Sequence, residues 1–264
     1  MKTSPPDDAT PDATNAADKQ GIQVIGRAAS ILRALQGQPD GMSLGELSKA
    51  VTLPRSTVQR IVDALDTEGL VLSSSATSGV RLGPALLSLA AATRFHVAEA
   101  ARESLKALVK EAGETVDLSL ADQEKMVFIE QVAATHRLSV ASAVGVSFPM
   151  HCCANGKAVL ALMNEAEFAR VKKRLRLTSM TAQTITDWDV LEAEIAEVRK
   201  SGVGYDHEET AEGICAVATA FRSPSGEFVS ISVVAPTARF KGSEARLISA
   251  LRTHTAALRE RLQR

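Results

Sequence analysis

The clearest pattern of apolar and polar positions lies between residues 43 and 70. The apolar residues of its second half recur at the i, i+3, i+4, i+7 spacing of a helix buried along one face: Val58, Ile61, Val62 and Leu65. Ser43 and Glu46 have the spacing of a capping box, in which each side chain satisfies a backbone N–H at a helix start. Pro54 suits the first turn of the second helix because it has no N–H to leave unpaired. The pattern predicts two short helices around a tight turn.

The face opposite that apolar stripe is polar and basic. From Leu47 to Val62 the only charged residues are Lys49, Arg55 and Arg60. Lys and Arg neutralise phosphates, Arg and Gln can hydrogen-bond base edges, and hydroxyl groups suit phosphate oxygens. The candidate DNA contacts are therefore Ser43, Pro54, Arg55, Ser56, Thr57, Gln59 and Arg60. A solvated helix face with no ligand is the alternative interpretation.

A β-hairpin is predicted directly after the second helix. Short apolar segments at 71–72 and 80–83 flank a run rich in Ser and Gly. Arg81, at the base of this wing, is a further candidate contact to backbone phosphate. Upstream, another helix is predicted from the apolar stripe Ile25, Ala28, Leu32 and Leu35. Three helices and a wing make a winged helix-turn-helix, whose second motif helix would enter a major groove.

Composition excludes several classes of protein. The chain has 264 residues, 45% of them hydrophobic and 23% charged, which is typical of globular protein with room for two domains. No apolar run approaches the ~20 residues of a membrane span, and the N-terminus lacks the apolar core of a signal peptide. Cys152, Cys153 and Cys215 cannot all pair, which argues against a disulfide framework. We therefore expect a cytoplasmic protein with no membrane partner.

Aromatic residues make up 3% of the chain, and this scarcity argues against recognition of single strands or RNA by base stacking. The net charge of −1 gives no hint of a polyanionic partner, so the basic tract is a local signal. We predict four segments: a disordered tail (1–20), the winged helix-turn-helix domain (21–83), a linker helix (84–100) and an effector-binding and oligomerisation domain (101–264).

The last segment combines strands and helices. Strands are predicted at 115–120, 125–132, 138–143, 202–206, 214–221 and 227–235, and helices at 155–163, 165–175, 187–201 and 243–262. Several strands follow one another through short polar turns, which favours an antiparallel sheet flanked by helices. The predicted fold class is α+β with two domains.

Motifs over nearly the whole chain, from about residue 22 to 262, resemble those of the IclR family of bacterial transcription regulators. The matching segments are Ala-Ala-Ser-Ile-Leu-Arg-Ala-Leu (28–35), Leu-Pro-Arg-Ser-Thr-Val-Gln-Arg (53–60), Arg-Leu-Gly-Pro (81–84), Glu-Thr-Val-Asp-Leu (114–118), Pro-Met-His-Cys-Cys-Ala-Asn-Gly-Lys-Ala (149–158) and Gly-Tyr-Asp-His-Glu-Glu (204–209). Singly these are weak, but their number, order and spacing together are specific. The resemblance implies a GAF-like effector domain that binds a small metabolite, dimers formed through the DNA-binding half, and often tetramers.

The resemblance also implies an effector site. Its contacts would come from the loop at 144–156, the acidic residue after Gly-Tyr, a Cys-containing turn and the last strand. The matching positions are Val144, Cys153, Asn155, Gly156, Asp206, Ile214, Cys215 and Ser232. This chain departs from the family pattern because Ala216 stands at the usual Cys position and Val234 replaces a hydroxyl residue. Either that wall of the pocket is less polar, or Cys215 reaches it from another angle.

The residues near Gly156 indicate what kind of ligand the pocket would bind, independently of the family resemblance. Gly156 lies near a predicted helix start, where free N–H groups and the helix dipole favour an anion, so a carboxylate ligand would fit. The alternative is that His151, Cys152 and Cys153 are buried structural residues. His151 and Cys152 are adjacent and would point to opposite faces of a strand, which does not suit a nucleophile and its base.

The cysteines lack the spacing of a metal site. We therefore expect no enzyme, cofactor or metal. The predicted function is a sequence-specific DNA-binding regulator of transcription, repressor or activator, whose binding to double-stranded operator DNA is modulated by a carboxylate or aromatic metabolite. A sensor or protein-interaction module of the same fold that has lost DNA binding is the alternative.

Overall fold

The computed structural model describes residues 13–73, 79–92, 96–135 and 144–263. The chain divides into an N-terminal unit, Met1–Arg94, and a C-terminal unit, Phe95–Arg264. The boundary falls within the segment at 84–100 where we expected a linker helix. The first helix begins at Ala13, so it includes residues 13–20 of the predicted tail. None of the described helices is long and apolar enough to cross a membrane.

The N-terminal unit contains the predicted helices and wing. Its elements are α1 (Ala13–Ala34), α2 (Leu44–Ala50), α3 (Arg55–Thr67), β1 (Val71–Ser73), β2 (Val80–Leu82) and α4 (Ala85–Ala92). The predicted stripe of α3 is confirmed: Val58, Ile61, Val62 and Leu65 are buried. In α1 the prediction is partly wrong, because Ile25 is exposed and Ile31, one turn from Leu35, is buried instead.

The turn between α2 and α3 is fixed by one polar side chain that the sequence did not single out. The Ser48 hydroxyl donates to the carbonyl of Leu53 at 2.6 Å, and the Leu53 N–H returns a bond to the Ser48 carbonyl at 3.1 Å. Thr52, inside this turn, has a positive φ of 54°. Ser48 therefore sets where α3 begins relative to α2.

The wing is an antiparallel pair in which Val71 lies opposite Leu82. The backbone of Met42 exchanges two hydrogen bonds with Val80, which joins the wing to the segment before α2. At the base of the wing a Cβ on Gly83 would lie 2.2 Å from the carbonyl oxygen of Gly69. Only glycine fits this close approach of two backbones. The predicted turn between the strands falls largely on residues 74–78, outside the described residues.

The C-terminal unit is a sheet with helices on both faces. Its elements are α5 (His96–Ala112), β3 (Thr115–Asp122), β4 (Lys125–Val132), β5 (Ser147–Pro149), α6 (Ala154–Leu162), α7 (Glu165–Lys172), α8 (Trp188–Ser201), β6 (Gly204–His207), β7 (Ile214–Arg222), β8 (Phe228–Pro236), α9 (Thr237–Phe240) and α10 (Glu244–Leu262). The six strands pair antiparallel in the order β5-β4-β3-β8-β7-β6. The α+β prediction is confirmed, although β5 and α9 were not predicted and the predicted strand at 138–143 lies outside the described residues.

The two faces of this sheet differ in chemistry because side chains alternate along each strand. One face is apolar and packs against α5 and α10 through residues such as Val116, Leu118, Val217, Ile231 and Val233. The other face carries small and hydroxyl residues and lies beneath α6: Ser119, Ala216, Ala218, Ser230 and Ser232. A Cβ on Gly204 would lie 2.4 Å from the carbonyl oxygen of Ala154, so α6 approaches the sheet closely.

Candidate nucleic-acid interface and ligand cavity

The exposed face of α3 is the basic surface of the N-terminal unit that the sequence predicted. Arg55, Ser56 and Arg60 are exposed, and Thr57 and Gln59 are half-buried. Pro54 is the N-cap residue, and no acidic residue lies in the first turn. The free N–H groups of that turn and the arginines therefore present positive charge on one side of the helix.

Two of the candidate DNA-contacting side chains, those of Gln59 and Ser43, already form hydrogen bonds within the N-terminal unit. The Gln59 side-chain amide donates to the Asp63 carboxylate at 2.6 Å within the helix. The Ser43 hydroxyl accepts from the Glu46 N–H at 3.2 Å, and the Ser43 N–H donates to the Glu46 carboxylate at 2.8 Å. The predicted capping box is thus confirmed, and these hydrogen bonds lower the pKa of Glu46.

The wing is attached to the end of α3. The carboxylate of Asp66 accepts a hydrogen bond from the N–H of Ser73 at 2.9 Å. Arg81 lies on β2 opposite Leu72 and is exposed. The N-terminal unit therefore offers two basic elements, the first turns of α3 and the base of the wing, joined by backbone and side-chain bonds.

A cavity of about 330 Å³ lies in the C-terminal unit, above the small-residue face of the sheet. Its size is in the range of small-molecule sites, about 300–1,000 Å³. Its described wall consists of Asp117, Phe128, Val146, Phe148, Cys153, Ala154, Asn155, Asp206, Thr210, Ala211, Ile214, Ala216 and Val234.

Four of the predicted effector residues line this cavity, namely Cys153, Asn155, Asp206 and Ile214. The other four do not. Val144 is exposed, and Gly156 packs so closely on Met150 that a Cβ would lie 2.3 Å from its Cα. Ser232 and Cys215 lie within the sheet.

Two alternatives were given for the turn that contains Cys215: a less polar wall of the pocket, or a Cys215 side chain that reaches the pocket from another angle. The position of Cys215 in the structure favours the first. Cys215 belongs to the apolar core on the opposite face of the sheet, with its Sγ 3.4 Å from the Thr237 hydroxyl oxygen. Ala216, the next residue along β7, lines the cavity. Cys215 therefore does not line this cavity, because alternation along the strand turns its side chain to the other face of the sheet. At Ala216 and Val234, which are paired across β7 and β8, the cavity wall carries no polar side chain.

Ser232 lies on the cavity side of the sheet without reaching the cavity wall. Its Cα is paired with Ala218 on one side and with Asp117 on the other. Ser232 is fully buried, and among the described residues its hydroxyl oxygen has no hydrogen-bond partner.

Asp117 is the main residue of the cavity wall that sequence reasoning missed. It is fully buried in β3, and its carboxylate accepts a hydrogen bond from the Gln131 amide at 2.6 Å. A signal was present, since Thr115, Asp117 and Ser119 alternate with the apolar residues of the same strand. That alternation places all three on the α6 side of the sheet.

The start of α6 is anchored to the sheet by residues of the cavity wall. The Asn155 amide donates to the hydroxyl oxygens of Ser119 and Ser230, at 3.0 and 3.3 Å. Cys153 caps the helix, since its sulfur accepts from the Gly156 N–H at 3.3 Å. Burial raises the pKa of the Cys153 thiol well above its ordinary value, so the thiol stays protonated.

Asp206 holds the turn that closes one side of the cavity. Its carboxylate accepts from the Thr210 hydroxyl at 2.5 Å and from the Glu209 N–H at 2.7 Å. Burial raises the pKa of Asp206, and these hydrogen bonds oppose the shift. The turn is thereby connected to a buried ion pair next to the cavity.

Lys157 is the cation of that ion pair. Its side chain is fully buried, and its Nζ lies 2.5 Å from carboxylate oxygens of both Glu194 and Glu209. Burial acts against the charge on Lys157, but the two carboxylates outweigh it and raise its pKa. Burial also raises the pKa of Glu209, to about 7, and one of its oxygens has no hydrogen-bond partner among the described residues.

His151 and Cys152, just before α6, are buried side chains outside the cavity wall. His151 is buried, with its Nε2 3.1 Å from the Thr178 carbonyl oxygen, and burial lowers its pKa. Burial raises the pKa of Cys152 to about 12, which leaves no thiolate to act as a nucleophile. In the described part of the chain no group of three or more His, Cys, Asp or Glu residues is placed to hold a metal ion.

Two family descriptions match the chain. "IclR helix-turn-helix domain" matches residues 24–74, and "Bacterial transcriptional regulator IclR C-terminal" matches residues 89–259. The HTH-type transcriptional regulator Rv1719 of Mycobacterium tuberculosis is 47% identical over 231 residues, which cover 88% of this chain and 89% of the relative.

Solved structures of similar proteins have the same fold. A crystal structure of an IclR-type regulator from Silicibacter sp. TM1040 has a TM-score of 0.79 and 28% identity, and the match covers 90% of this chain and 96% of that one. An IclR homologue from Microbacterium hydrocarbonoxydans, crystallised with 4-hydroxybenzoate, has a TM-score of 0.72 and 18% identity, covering 91% and 99%. The Mycobacterium and Silicibacter relatives are described as transcriptional regulators. With matches over both units, the chain belongs to the IclR family of bacterial transcriptional regulators.

Proposed function

We propose that this regulator binds a specific operator in double-stranded DNA through α3 and the wing, and that a small molecule in the cavity changes its affinity for that operator. The observation that carries the proposal is the two-sided character of α3. One side is a buried apolar stripe, and the other exposes Arg55 and Arg60. Because the apolar side fixes α3 to its domain, the arginines on the other side can contact phosphates and base edges without any loss of core packing.

Sequence specificity requires contacts to base edges as well as to phosphates. Arg55 lies in the first turn of α3, the part of a recognition helix that enters the major groove most deeply. The proposal assigns Ser56 and Thr57 to phosphate oxygens, and Arg81 on the wing to the neighbouring DNA backbone. Ser43 and Gln59 are weaker members of the predicted set because their side chains already bond within the unit.

The cavity supports the second half of the proposal. It is enclosed largely by apolar side chains with a few polar groups, as small-molecule sites are. A protein of the same fold has been crystallised with 4-hydroxybenzoate. We propose an aromatic or carboxylate metabolite as the class of effector, with Cys153, Asn155, Asp206 and Ile214 among its contacts.

The regulator would act as a homodimer, or as a tetramer built from dimers. Two copies of α3 would contact two half-sites of a pseudo-palindromic operator, whose spacing they must match. The effector shifts operator affinity only by as much as it prefers one arrangement of the protein over the other.

Binding to a promoter fragment at a series of salt concentrations tests the DNA half of the proposal. Log affinity should fall linearly with log salt, by about 0.9 per phosphate neutralised. Failure to bind the fragment at any of the salt concentrations would instead favour a sensor module that has lost DNA binding. A thermal-shift screen of small aromatics and carboxylates tests the effector half, because a ligand that binds only the folded state raises the melting temperature. Hits should then change operator affinity.

A further inference from the structure

The turn between β6 and β7, residues 208–213, forms one side of the ligand cavity. Thr210 and Ala211 of this turn belong to the cavity wall, and so do Asp206 and Ile214, which lie just outside its two ends. Because these side chains are carried by one short connection, a displacement of the 208–213 turn would move a whole side of the wall and change access to the cavity.

Side chains from two other elements hold the turn in place. The Thr181 hydroxyl, from the segment before α8, donates to the Glu208 carbonyl oxygen at 2.7 Å. The Thr184 hydroxyl donates to the carbonyl oxygen of Glu209, also at 2.7 Å. The remaining attachment is the Glu209 carboxyl group, which lies 2.5 Å from the Nζ of Lys157 on α6. Of these three attachments, this last one is formed by ionisable groups and therefore depends on pH.

The Glu209 side chain shares its cation with other acidic groups. Lys157 is equally close to Glu194 of α8, at 2.5 Å. Asp206 of β6 adds a further carboxyl group that acts on Glu209. One oxygen of Glu209 has no hydrogen-bond partner among the described residues. Ionisation of Glu209 therefore adds a negative charge to a buried site in which one lysine already faces other carboxyl groups, and such a charge is costly to bury.

The Glu209 carboxyl group changes its charge near neutral pH. Burial raises its pKa to about 7, and the neighbouring carboxyl groups add to the shift against the opposing effect of Lys157. The other titratable groups beside this cluster, Cys152 and His151, precede α6. Burial raises the pKa of the thiol to about 12 and lowers the pKa of the imidazole, so both are uncharged at pH 7 and above. In an open turn the Glu209 carboxyl group would lie in water, with its ordinary pKa of 4.5.

We propose that the proton on Glu209 controls how often the 208–213 turn opens, so that the cavity becomes more accessible as Glu209 ionises. A neutral Glu209 still accepts a hydrogen bond from Lys157, and the closed turn then keeps the contact without the additional charge. An ionised Glu209 favours the open turn, in which water solvates the carboxylate. The inference rests on the proposed function only in taking this cavity as the effector site.

Hydrogen exchange of the full-length protein between pH 6 and pH 8 tests the inference. The reporter is the Glu209 N–H, which donates to the Asp206 carboxylate in the closed turn, and its exchange rate is corrected for the intrinsic effect of pH. With a pKa of about 7 in the closed turn and 4.5 in the open turn, opening should be about tenfold more frequent at pH 8 than at pH 6. In Glu209→Gln, which has the same shape and stays neutral, opening should change by less than about twofold.

Glu212→Gln is the matched control, because Glu212 is an exposed residue of the same turn and undergoes the same chemical change. It should keep the full pH dependence of the wild type. Peptides from β8 report unfolding of the whole C-terminal unit, and the turn should exchange faster than β8 at each pH. Equal protection of the turn and β8 would overturn the inference, because the turn would then open only by unfolding. A pH dependence that survives Glu209→Gln would overturn it as well.

Labelling of Cys153 by N-ethylmaleimide shows whether the open turn admits molecules to the cavity, since Cys153 belongs to the wall. The rate is measured by mass spectrometry for the wild type and for Glu209→Gln, and their ratio removes the intrinsic pH dependence of the thiol. This ratio should rise about tenfold from pH 6 to pH 8. A constant ratio would mean that the turn does not control access. Neither measurement uses DNA or an effector, so failure of the inference is distinguishable from failure of the proposed function.

Discussion

Lys157 and Glu209 form an ion pair of 2.5 Å inside the C-terminal unit, with the lysine side chain fully buried and the glutamate nearly so. Glu194 lies at the same distance from the lysine on the other side. One cation thus faces two carboxylates, with Asp206 close by on the same turn as Glu209. Burial raises the pKa of Glu209 to about 7, and the negative charges of Glu194 and Asp206 add to the shift against the opposing effect of Lys157.

The first prediction concerns pH. Because the pKa of Glu209 rises from 4.5 to about 7 on folding, the folded state binds this proton more tightly than the unfolded state does. The resulting stability is fully present below pH 4.5 and is lost as pH rises through 7, with a size on the order of 1–3 kcal/mol. The measurement is the free energy of unfolding by urea from pH 5 to 8. Glu209→Gln should gain stability relative to wild type as pH rises.

The comparison with wild type isolates Glu209 from other titrating groups. His151, whose pKa is lowered by burial, titrates in both proteins and cancels in the difference. A difference that stays constant from pH 5 to 8 would contradict the prediction.

The second prediction is that Lys157→Met lowers the free energy of unfolding much more than removal of one of its two carboxylate partners does. The methionine fills the space but leaves two carboxylates near each other in a buried site, and the expected loss is about 3–5 kcal/mol. The double variant Lys157→Met with Glu209→Gln should recover part of that loss, because one of the stranded charges is removed. Equal stability of the single and double variants would show that the two residues are not coupled.

Much of the fold could be predicted from the sequence, because the signals were local. The apolar stripe of α3, the capping box at Ser43 and the long strands depend on residues within a few positions of each other. The elements that were missed, Ser147–Pro149 and Thr237–Phe240, are too short for a periodicity to develop. Ile25 was misplaced because the buried face of α1 turns toward Ile31.

The site was less predictable, for two different reasons. Alternation of small and larger residues along β7 was visible in the sequence and would have placed Ala216, not Cys215, beneath α6. The same alternation would have found Asp117. In contrast, the partners of Lys157 are 37 and 52 residues away, and no local pattern could have named them.

The third prediction tests which face of β8 meets the cavity. Val233 is fully buried in the core against α5 and α10, whereas its neighbour Val234 lines the cavity. Val233→Ala should cost about 2–3 kcal/mol because it leaves a void among packed side chains. Val234→Ala should cost only about 1 kcal/mol, because one side of that residue already lacks neighbours. Urea unfolding of both variants is the measurement, and a register shift of one residue would reverse their order.

The fourth prediction concerns the base of the wing. Gly83→Ala would bring a Cβ within 2.2 Å of the Gly69 carbonyl oxygen, and backbone must move to accept it. We expect a loss of about 1–3 kcal/mol in the stability of the N-terminal unit, with weaker DNA binding because Arg81 is displaced. Gly45→Ala in α2 is the control, since its nearest atom is 3.9 Å away and its helical backbone tolerates alanine. That variant should gain about 0.5–1 kcal/mol.

The fifth prediction concerns the basic face of α3. Arg55→Ala and Arg60→Ala should each weaken operator binding by about 1–3 kcal/mol while changing the free energy of unfolding by no more than about 0.5 kcal/mol, since both side chains are exposed. The two substitutions can also be distinguished from each other. Removal of a residue that contacts only phosphate lowers the slope of log affinity against log salt by about 0.9 and weakens binding to all sequences alike. Removal of a residue that contacts a base relaxes specificity at one position of the operator.

Gel-shift titrations on operator and on scrambled DNA, each at several salt concentrations, separate these cases. Arg176→Ala, an exposed arginine of the C-terminal unit, controls for the loss of one positive charge from the whole chain. From its position in the first turn, Arg55 should be the arginine that affects specificity, and Arg60, one turn further along α3, the one that affects affinity alone. Unchanged affinity in both variants would mean that α3 is not the DNA-reading element of this regulator.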